Sequence, residues 1–469
     1  MLQREQIAIS HKGSALADVI SAQDAYFNAG HTLPLSFRRN QLRLLQVTIK
    51  ENEAAILDAL KKDLGKPALE AYIADVGMVY TEIRHMQKKM KKWAKPRRAK
   101  TPMAGFPAKS FIYPRPRGRG LIISPWNYPV QLMLLPLVGA IAAGNTAVIK
   151  PSEMVPETSS LICRLLSQTF GEEFVATFEG GPAVSTELLT HGWDHLFFTG
   201  STGVGRIVAR AAAETLTPAT LELGGKSPCI IGPTAKLKVA ASRVVFGKLM
   251  NMGQTCVAPD YVWVHETVKD PFLKLVKEMI RERYGEDPSK SPDLARVVGE
   301  KHFNHLTAMI DPAKVIHGGS SDKDSLYVEP TIMDGVTRDD AVMQDEIFGP
   351  LLPVMTWRSL DEVIGTLQEE EKPLALYIFS EDKAEQEQII NQVRFGGGCI
   401  NDTIMHVGNG FLPFGGVGAS GYGAYHGEES FRTFTHYKAI VRQPTGSDPA
   451  MRYPPYTPMK EKIVRFMFR

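Results

Sequence analysis

Apolar positions in the first hundred residues recur with steps of three and four. Leu42, Leu45 and Ile49 form one series; Ile73, Val76, Tyr80 and Ile83 form another. That spacing places each series on one face of an amphipathic helix, and Pro96 ends the second helix. After Pro116 the pattern changes. Short, mostly apolar runs at Leu121–Ile123, Ala147–Ile149, Val175–Phe178, Leu196–Phe198, Thr220–Leu223, Cys229–Ile231 and Tyr261–Val264 are separated by helical stretches near 130–143, 156–169, 203–214 and 236–250. Apolar strands alternating with helices predict a parallel α/β architecture. Runs at Leu351–Met355 and Leu374–Phe379 extend it into a second α/β region. Ser110–Tyr113 reads as a short strand, with Pro114 and Pro116 favouring a sheet edge. Five prolines between Pro444 and Pro458 predict an extended arm, and Lys460–Arg469 a short amphipathic helix carrying Ile463, Val464, Phe466, Met467 and Phe468.

Composition narrows the class. A chain of 469 residues with 43% apolar and 22% charged positions is ordinary for a soluble protein of about three domains. A net charge of +3 gives no reason to expect a nucleic-acid partner. The basic run Lys88, Lys89, Lys91, Lys92, Lys95, Arg97, Arg98 and Lys100 reads as a solvated helix end whose cations complement the carbonyl end of the dipole. The cysteines are Cys163, Cys229, Cys256 and Cys399. They form no CxxC pair, and no HExxH is present, so neither a disulfide framework nor a metal site is expected. The longest apolar stretch, Leu132 to Gly144, is broken by Pro136 and is too short for a membrane span. Met1 to Ser10 carries no secretory signal, and a cytoplasmic protein is expected.

Three segments carry candidate chemistry. Leu196–Thr199 runs into Gly200-Ser201-Thr202-Gly203-Val204-Gly205 and then a helix. A strand, a glycine turn and a helix start aim free N–H groups at a phosphate; Gly200 permits the turn and Gly205 a close helix–sheet approach. The spacing is GxxGxG, and a structural glycine turn fits it equally well. Glu222 falls where a dinucleotide fold places its ribose ligand, but its neighbours Leu221, Leu223, Gly224 and Gly225 shield it from water. A raised pKa there suits a general base; a glutamate satisfied by nearby backbone is the bland alternative. Lys150 and Glu153 end another strand, where Glu153 can accept from ribose hydroxyls and Lys150 can donate to them or to a 2′-phosphate.

Cys256 sits in Gly253-Gln254-Thr255-Cys256, a polar loop whose N–H groups could favour the thiolate. The other three cysteines read as small apolar residues. A cysteine–histidine hydrolase would need a partner such as His406, His426 or His436, which sequence alone does not pair with Cys256.

Taken together, Pro125-Trp126-Asn127-Tyr128-Pro129, Lys150-Pro151-Ser152-Glu153, the Gly200–Gly205 turn, Leu221–Lys226, Gly253–Cys256, Glu346-Ile347-Phe348-Gly349-Pro350 and Pro413–Gly418 resemble the aldehyde dehydrogenases, in order and over most of the chain. Cys256–Tyr261, Tyr425-His426-Gly427 and Arg452–Tyr456 resemble the class 3 branch, whose members are usually dimers acting on aromatic, medium-chain and fatty aldehydes. The resemblance implies residues 1–108 with 119–224 as a dinucleotide-binding domain and 225–402 as a catalytic domain. It also implies 109–118 with 403–445 as a small β oligomerisation element, and 446–469 as a C-terminal arm. It implies Cys256 as nucleophile, Asn127 with the Cys256 N–H as oxyanion hole, and Glu222 as water base. NAD or NADP would lie against Lys150, Glu153, Gly200, Ser201, Gly205, Glu346 and Phe348. A CoA-acylating relative would not need Glu222, which speaks against that route. Met252, where the family often has a smaller residue, would narrow the site. Segment 460–469, amphipathic and cationic, is open to three readings: a gate at the substrate entrance, a contact with membrane lipid, or a frayed terminus.

Overall fold

The computed structural model describes residues 9–446 and 448–468. Its first sheet runs in the order Gly421–Tyr422, Ala219–Glu222, His195–Thr199, Arg119–Ile123, Thr146–Lys150, Val175–Thr177. The last five strands are parallel, and Gly421–Tyr422 adds antiparallel to Ala219–Glu222. Between Arg119–Ile123 and His195–Thr199 the winding reverses, which opens a crevice at the carboxyl ends of the strands. Every residue of these two strands except Arg119 is buried, so both faces are covered and the sequence reads as continuous apolar runs.

The second sheet has seven strands, in the order Val315–His317, Thr331–Met333, Leu351–Trp357, Tyr261–His265, Pro228–Ile231, Ala375–Phe379, Gly397–Ile400, parallel except for the first. Helices Pro129–Ala143, Pro156–Thr169, Thr202–Glu214 and Leu237–Leu249 stand close to their expected limits. Pro129–Ala143 is buried on every side, Pro136 included. No helix among the described residues is long and apolar enough to cross a membrane.

Three local expectations need correction. The strand at Lys109–Pro116 is the middle of a three-stranded sheet, between Arg97–Ala99 and Thr435–Arg442. Its prolines fit because Arg97–Ala99 pairs only as far as Ile112, so Pro114 and Pro116 have a neighbour on one side only. The second helical series is interrupted: Tyr72–Val76 forms a π-helical turn before Gly77–Trp93. The extra residue rotates the face, so Ile73 is exposed while Asp75 is fully buried. Met252 is packed into the main core; it is Met250 that joins Ala74, Tyr128 and Leu132 in a small apolar cluster.

The C-terminal helix forms at Pro458–Met467, capped by the Thr457 hydroxyl, and leaves Phe466 and Phe468 exposed.

Candidate active site

A cavity of about 850 Å³ lies between the two parallel sheets. Asn127, Gly200, Ser201, Glu222, Cys256, Glu346 and Phe348 all line it. Lys150, Glu153 and Gly205 do not; they sit on the elements that flank it.

Glu222 ends its strand with 1% exposure, and both carboxylate oxygens lack a hydrogen-bond partner. Neighbouring backbone does not satisfy it, which removes the bland alternative. Burial alone pushes its pKa well above the usual carboxylate range. A buried, unpartnered carboxyl at a cavity wall is a group poised to take a proton from something that enters.

Cys256 is partly exposed at the same wall. Contrary to expectation, its thiol is pushed up, not down. Burial is the largest cause, followed by the charges of Glu346 and Glu222; the N–H groups of Cys256 and Val257 oppose it only in part. Cys163 and Cys229 are buried, and burial raises their thiols too, to about 12 for Cys163. Among the described residues no histidine is hydrogen-bonded to Cys256, and His302, on the same cavity, is engaged with the Phe348 carbonyl. His406 Nδ1 lies 3.5 Å from Cys399 Sγ, His426 stacks on Phe414 at 5.2 Å, and His436 is exposed. A cysteine–histidine hydrolase site is therefore not assembled among the described residues.

Asn127 is placed by a buried polar network. Its Nδ2 donates to the Gln254 carbonyl at 3.1 Å, leaving a second N–H available. Its own carbonyl accepts from Lys66 Nζ at 2.7 Å and Asn251 Nδ2 at 2.9 Å. Gln254 ties the cysteine loop to its surroundings through Asn251, Arg296 and Val298. Asn251 and Met252 both take left-handed backbone, strain that these contacts pin in place. Sequence reasoning missed Lys66 and Asp75; the available signal was a lysine framed as Gly65-Lys66-Pro67 and an acid beside an apolar helical series.

Against the Gly224–Gly225 turn that follows Glu222, Glu346 is raised to about 8, by burial first and by Asp260 second. The Gly225 N–H, Lys226 and Lys248 counteract this in part. A Cβ at Gly224 would fall 1.9 Å from Glu346 Oε2, so only glycine leaves that carboxyl its place. Lys226 anchors the loop by donating to Asp260 at 2.5 Å and to the Val342 and Asp345 carbonyls at 2.9 Å each. Asp260 in turn accepts the Ile347 N–H. Phe348 has φ of 54°, its carbonyl is hydrogen-bonded to His302 at 2.8 Å, and its ring stands edge-on to Trp126 at 5.3 Å.

The glycine turn behaves as its sequence suggests. Ser201 caps helix Thr202–Glu214, a Cβ at Gly205 would lie 2.5 Å from Leu223, and a Cβ at Gly203 would meet nothing within 4 Å. Gly200 has no left-handed backbone; its constraint is space, since a Cβ would press on Phe198 at 2.6 Å. At the end of strand Thr146–Lys150, Lys150 Nζ binds Glu153 Oε2 at 2.7 Å, with Glu153 half-exposed. An open helix start, a lysine–glutamate pair at a strand end and an aromatic ring across the cavity fit a dinucleotide.

The aldehyde dehydrogenase family model matches residues 6–440. The chain belongs to the aldehyde dehydrogenase family. It is 48% identical to the 4,4'-diaponeurosporen-aldehyde dehydrogenase of Staphylococcus aureus, covering 95% of this chain and 97% of that protein. It is 41% identical to the dimeric NADP-preferring aldehyde dehydrogenase of Canis lupus familiaris, covering 94% and 98% respectively. A solved structure of an S. aureus aldehyde dehydrogenase, AldH, in its substrate-bound state superposes with a TM-score of 0.95 at 47% identity, over 97% of this chain and all of that one. As an aldehyde dehydrogenase, the protein is an oxidoreductase, and its two parallel sheets are that family's fold.

Proposed function

We propose that this aldehyde dehydrogenase oxidises apolar aldehydes, aromatic or medium- to long-chain aliphatic, to carboxylic acids through a thioester on Cys256. The observation that carries this reading is the unpartnered, buried Glu222 carboxyl sharing one cavity with Cys256 and Asn127. The Cys256 thiolate adds to the aldehyde carbonyl, and the Asn127 side-chain N–H and the Cys256 N–H receive the oxyanion. Bound nicotinamide cofactor supplies the hydride acceptor. Glu222 then deprotonates the water that releases the acid. Because the charges of Glu346 and Glu222 hold the thiol up, positive charge brought into the cavity would favour the Cys256 thiolate.

Gly200, Ser201 and the helix N-terminus behind Gly205 would hold the pyrophosphate, Lys150 and Glu153 the adenosine ribose, and Glu346 with Phe348 the nicotinamide ribose. The Glu153 carboxylate already occupies Lys150, which favours NAD over NADP by repelling a 2′-phosphate. Glu153→Gln should raise kcat/KM for NADP relative to NAD by about tenfold, one charge contact's worth. An apolar substrate is supported by the cluster of Ala74, Tyr128, Leu132 and Met250 and by the polyene aldehyde named for the S. aureus relative. A homodimer is supported by the open edge of strand Thr435–Arg442. A cytoplasmic location is supported by four free cysteines.

The test is nicotinamide reduction with benzaldehyde and a series of straight-chain aldehydes, NAD and NADP in parallel, against Cys256→Ala. Turnover lost in the variant and rising with chain length supports the reading. Turnover surviving in Cys256→Ala removes it.

A further inference from the structure

We propose that the buried Lys66–Asp75 ion pair is the positioning device of the oxyanion site, a role that rests on the reading of Asn127 given above. Lys66 has no exposed surface, and neither does Asp75. An ammonium group has three hydrogens and no lone pair. Those of Lys66 meet three partners: Asp75 Oδ2 at 2.8 Å, the Asn127 carbonyl at 2.7 Å and the ring of Tyr128 at 4.1 Å.

Asp75 works on the other side of the same short segment. Its Oδ1 accepts the N–H groups of Val130 and Gln131, at 3.2 Å each. These are first-turn amides of helix Pro129–Ala143, whose own N-cap residue, Tyr128, supplies no side-chain cap. Asp75 therefore caps that helix from a distant part of the chain, with its negative charge at the positive end of the dipole. Tyr128 and Pro129 lie between the Asn127 carbonyl fixed by Lys66 and the amides fixed by Asp75. The backbone that leads from Asn127 into the helix is thus clamped at both ends, with the Asn127 peptide as one of the two fixed points.

Stability alone does not explain such a pair. Replacing a buried ion pair with apolar residues of similar volume is often neutral or stabilising, so what the pair contributes here is a defined position. The π-helical turn Tyr72–Val76 is what brings Asp75 inward, and π turns are frequent at functional sites. Neither Lys66 nor Asp75 lines the cavity, so both act through Asn127.

The experiment uses the full-length protein and compares Lys66→Met, Asn127→Ala and their combination. Three quantities are read: kcat/KM for aldehyde, the dissociation constant for NAD, and the rate of Cys256 alkylation by iodoacetamide, which forms no oxyanion. Lys66→Met should lower kcat/KM by about 10- to 100-fold, the cost of misplacing a catalytic group by roughly 1 Å. Alkylation and NAD affinity should stay within about twofold, and Lys66→Met should add no more than about twofold in the Asn127→Ala background. Losses that multiply in the double variant, or alkylation that falls in step with turnover, overturn the proposal. If Lys66→Met fails to fold because Asp75 is left as a lone buried charge, Lys66→Met with Asp75→Leu removes both charges together. Wild-type kcat/KM in that folded, NAD-binding protein also overturns it. Wild-type turnover in Asn127→Ala overturns the reading of Asn127 and this proposal with it, whereas a slow Asn127→Ala beside a fast Lys66→Met overturns the proposal alone.

Discussion

Glu222 and Glu346 line one cavity, and burial keeps both carboxyls protonated beyond their ordinary range. Their proposed duties separate them. Glu222→Gln should still form the thioester but not release it. The expected result is one equivalent of reduced nicotinamide per site, then steady turnover slower by about 10²-fold or more, with the acyl adduct visible in the intact mass. Glu346 makes a prediction about stability. Its folded pKa of about 8 lies above the ordinary 4.5, so between those values the folded protein holds a proton that the unfolded chain has lost. The contribution of Glu346 is therefore fullest below 4.5 and is lost as pH rises towards 8, by up to about 1.4 kcal/mol per pH unit. In the cofactor-free protein, thermal unfolding of Glu346→Gln should exceed wild type by a margin that widens from pH 5 to pH 8; a constant margin would count against the assigned shift. Cys256, Glu222 and Asn127 were legible as residues because each lies in a compact motif. The upward push on the thiol was not, because its causes, Glu222 and Glu346, are 34 and 90 positions away along the chain.

Among the elements, nine strands of the two parallel sheets were legible to within one or two residues, since burial on both faces leaves an apolar run that needs no partner to be recognised, whereas Val315–His317, Thr331–Met333, Gly397–Ile400 and Gly421–Tyr422 were not foreseen. Arg97–Ala99 was invisible for the opposite reason. Its residues are charged or small, and only pairing with Phe111 and Ile112 makes it a strand. The π-helical turn escaped because periodicity assumes an uninterrupted helix. The glycine turn offers a test at this scale. Gly205→Val places branched carbon against Leu223, where even a Cβ would lie at 2.5 Å. Either the Leu223 side chain or the helix must give way, at a cost of about 1–3 kcal/mol, and NAD affinity should fall with thermal stability. Val at Gly203, where space is open, should leave stability nearer to wild type.

For the whole molecule, the three-stranded sheet is the part most open to a second chain. Strand Thr435–Arg442 is eight residues long, its outer edge is unpaired, and Val441 is 65% exposed. Long free edges invite pairing. If the proposed homodimer forms through this edge, Val441→Asp should shift the mass measured by light scattering from dimer to monomer while NAD binding persists. A dimer that survives it assigns the interface elsewhere, for example to the exposed Val204 and Ile207 of helix Thr202–Glu214.

The first parallel sheet is closed by a strand that comes from far down the chain. Gly421–Tyr422 pairs with Ala219–Glu222, and the Ser420 carbonyl accepts the Leu223 N–H. A growing chain leaves the ribosome amino end first, so the strand that bears Glu222 stays an open edge while some two hundred further residues are made. That edge is open to pairing during synthesis, and a nascent chain stopped short of residue 422 cannot present a finished cavity. Completion of the site thus waits for a strand some two hundred residues beyond Glu222, and fragments released earlier carry Cys256 without the surroundings that govern it.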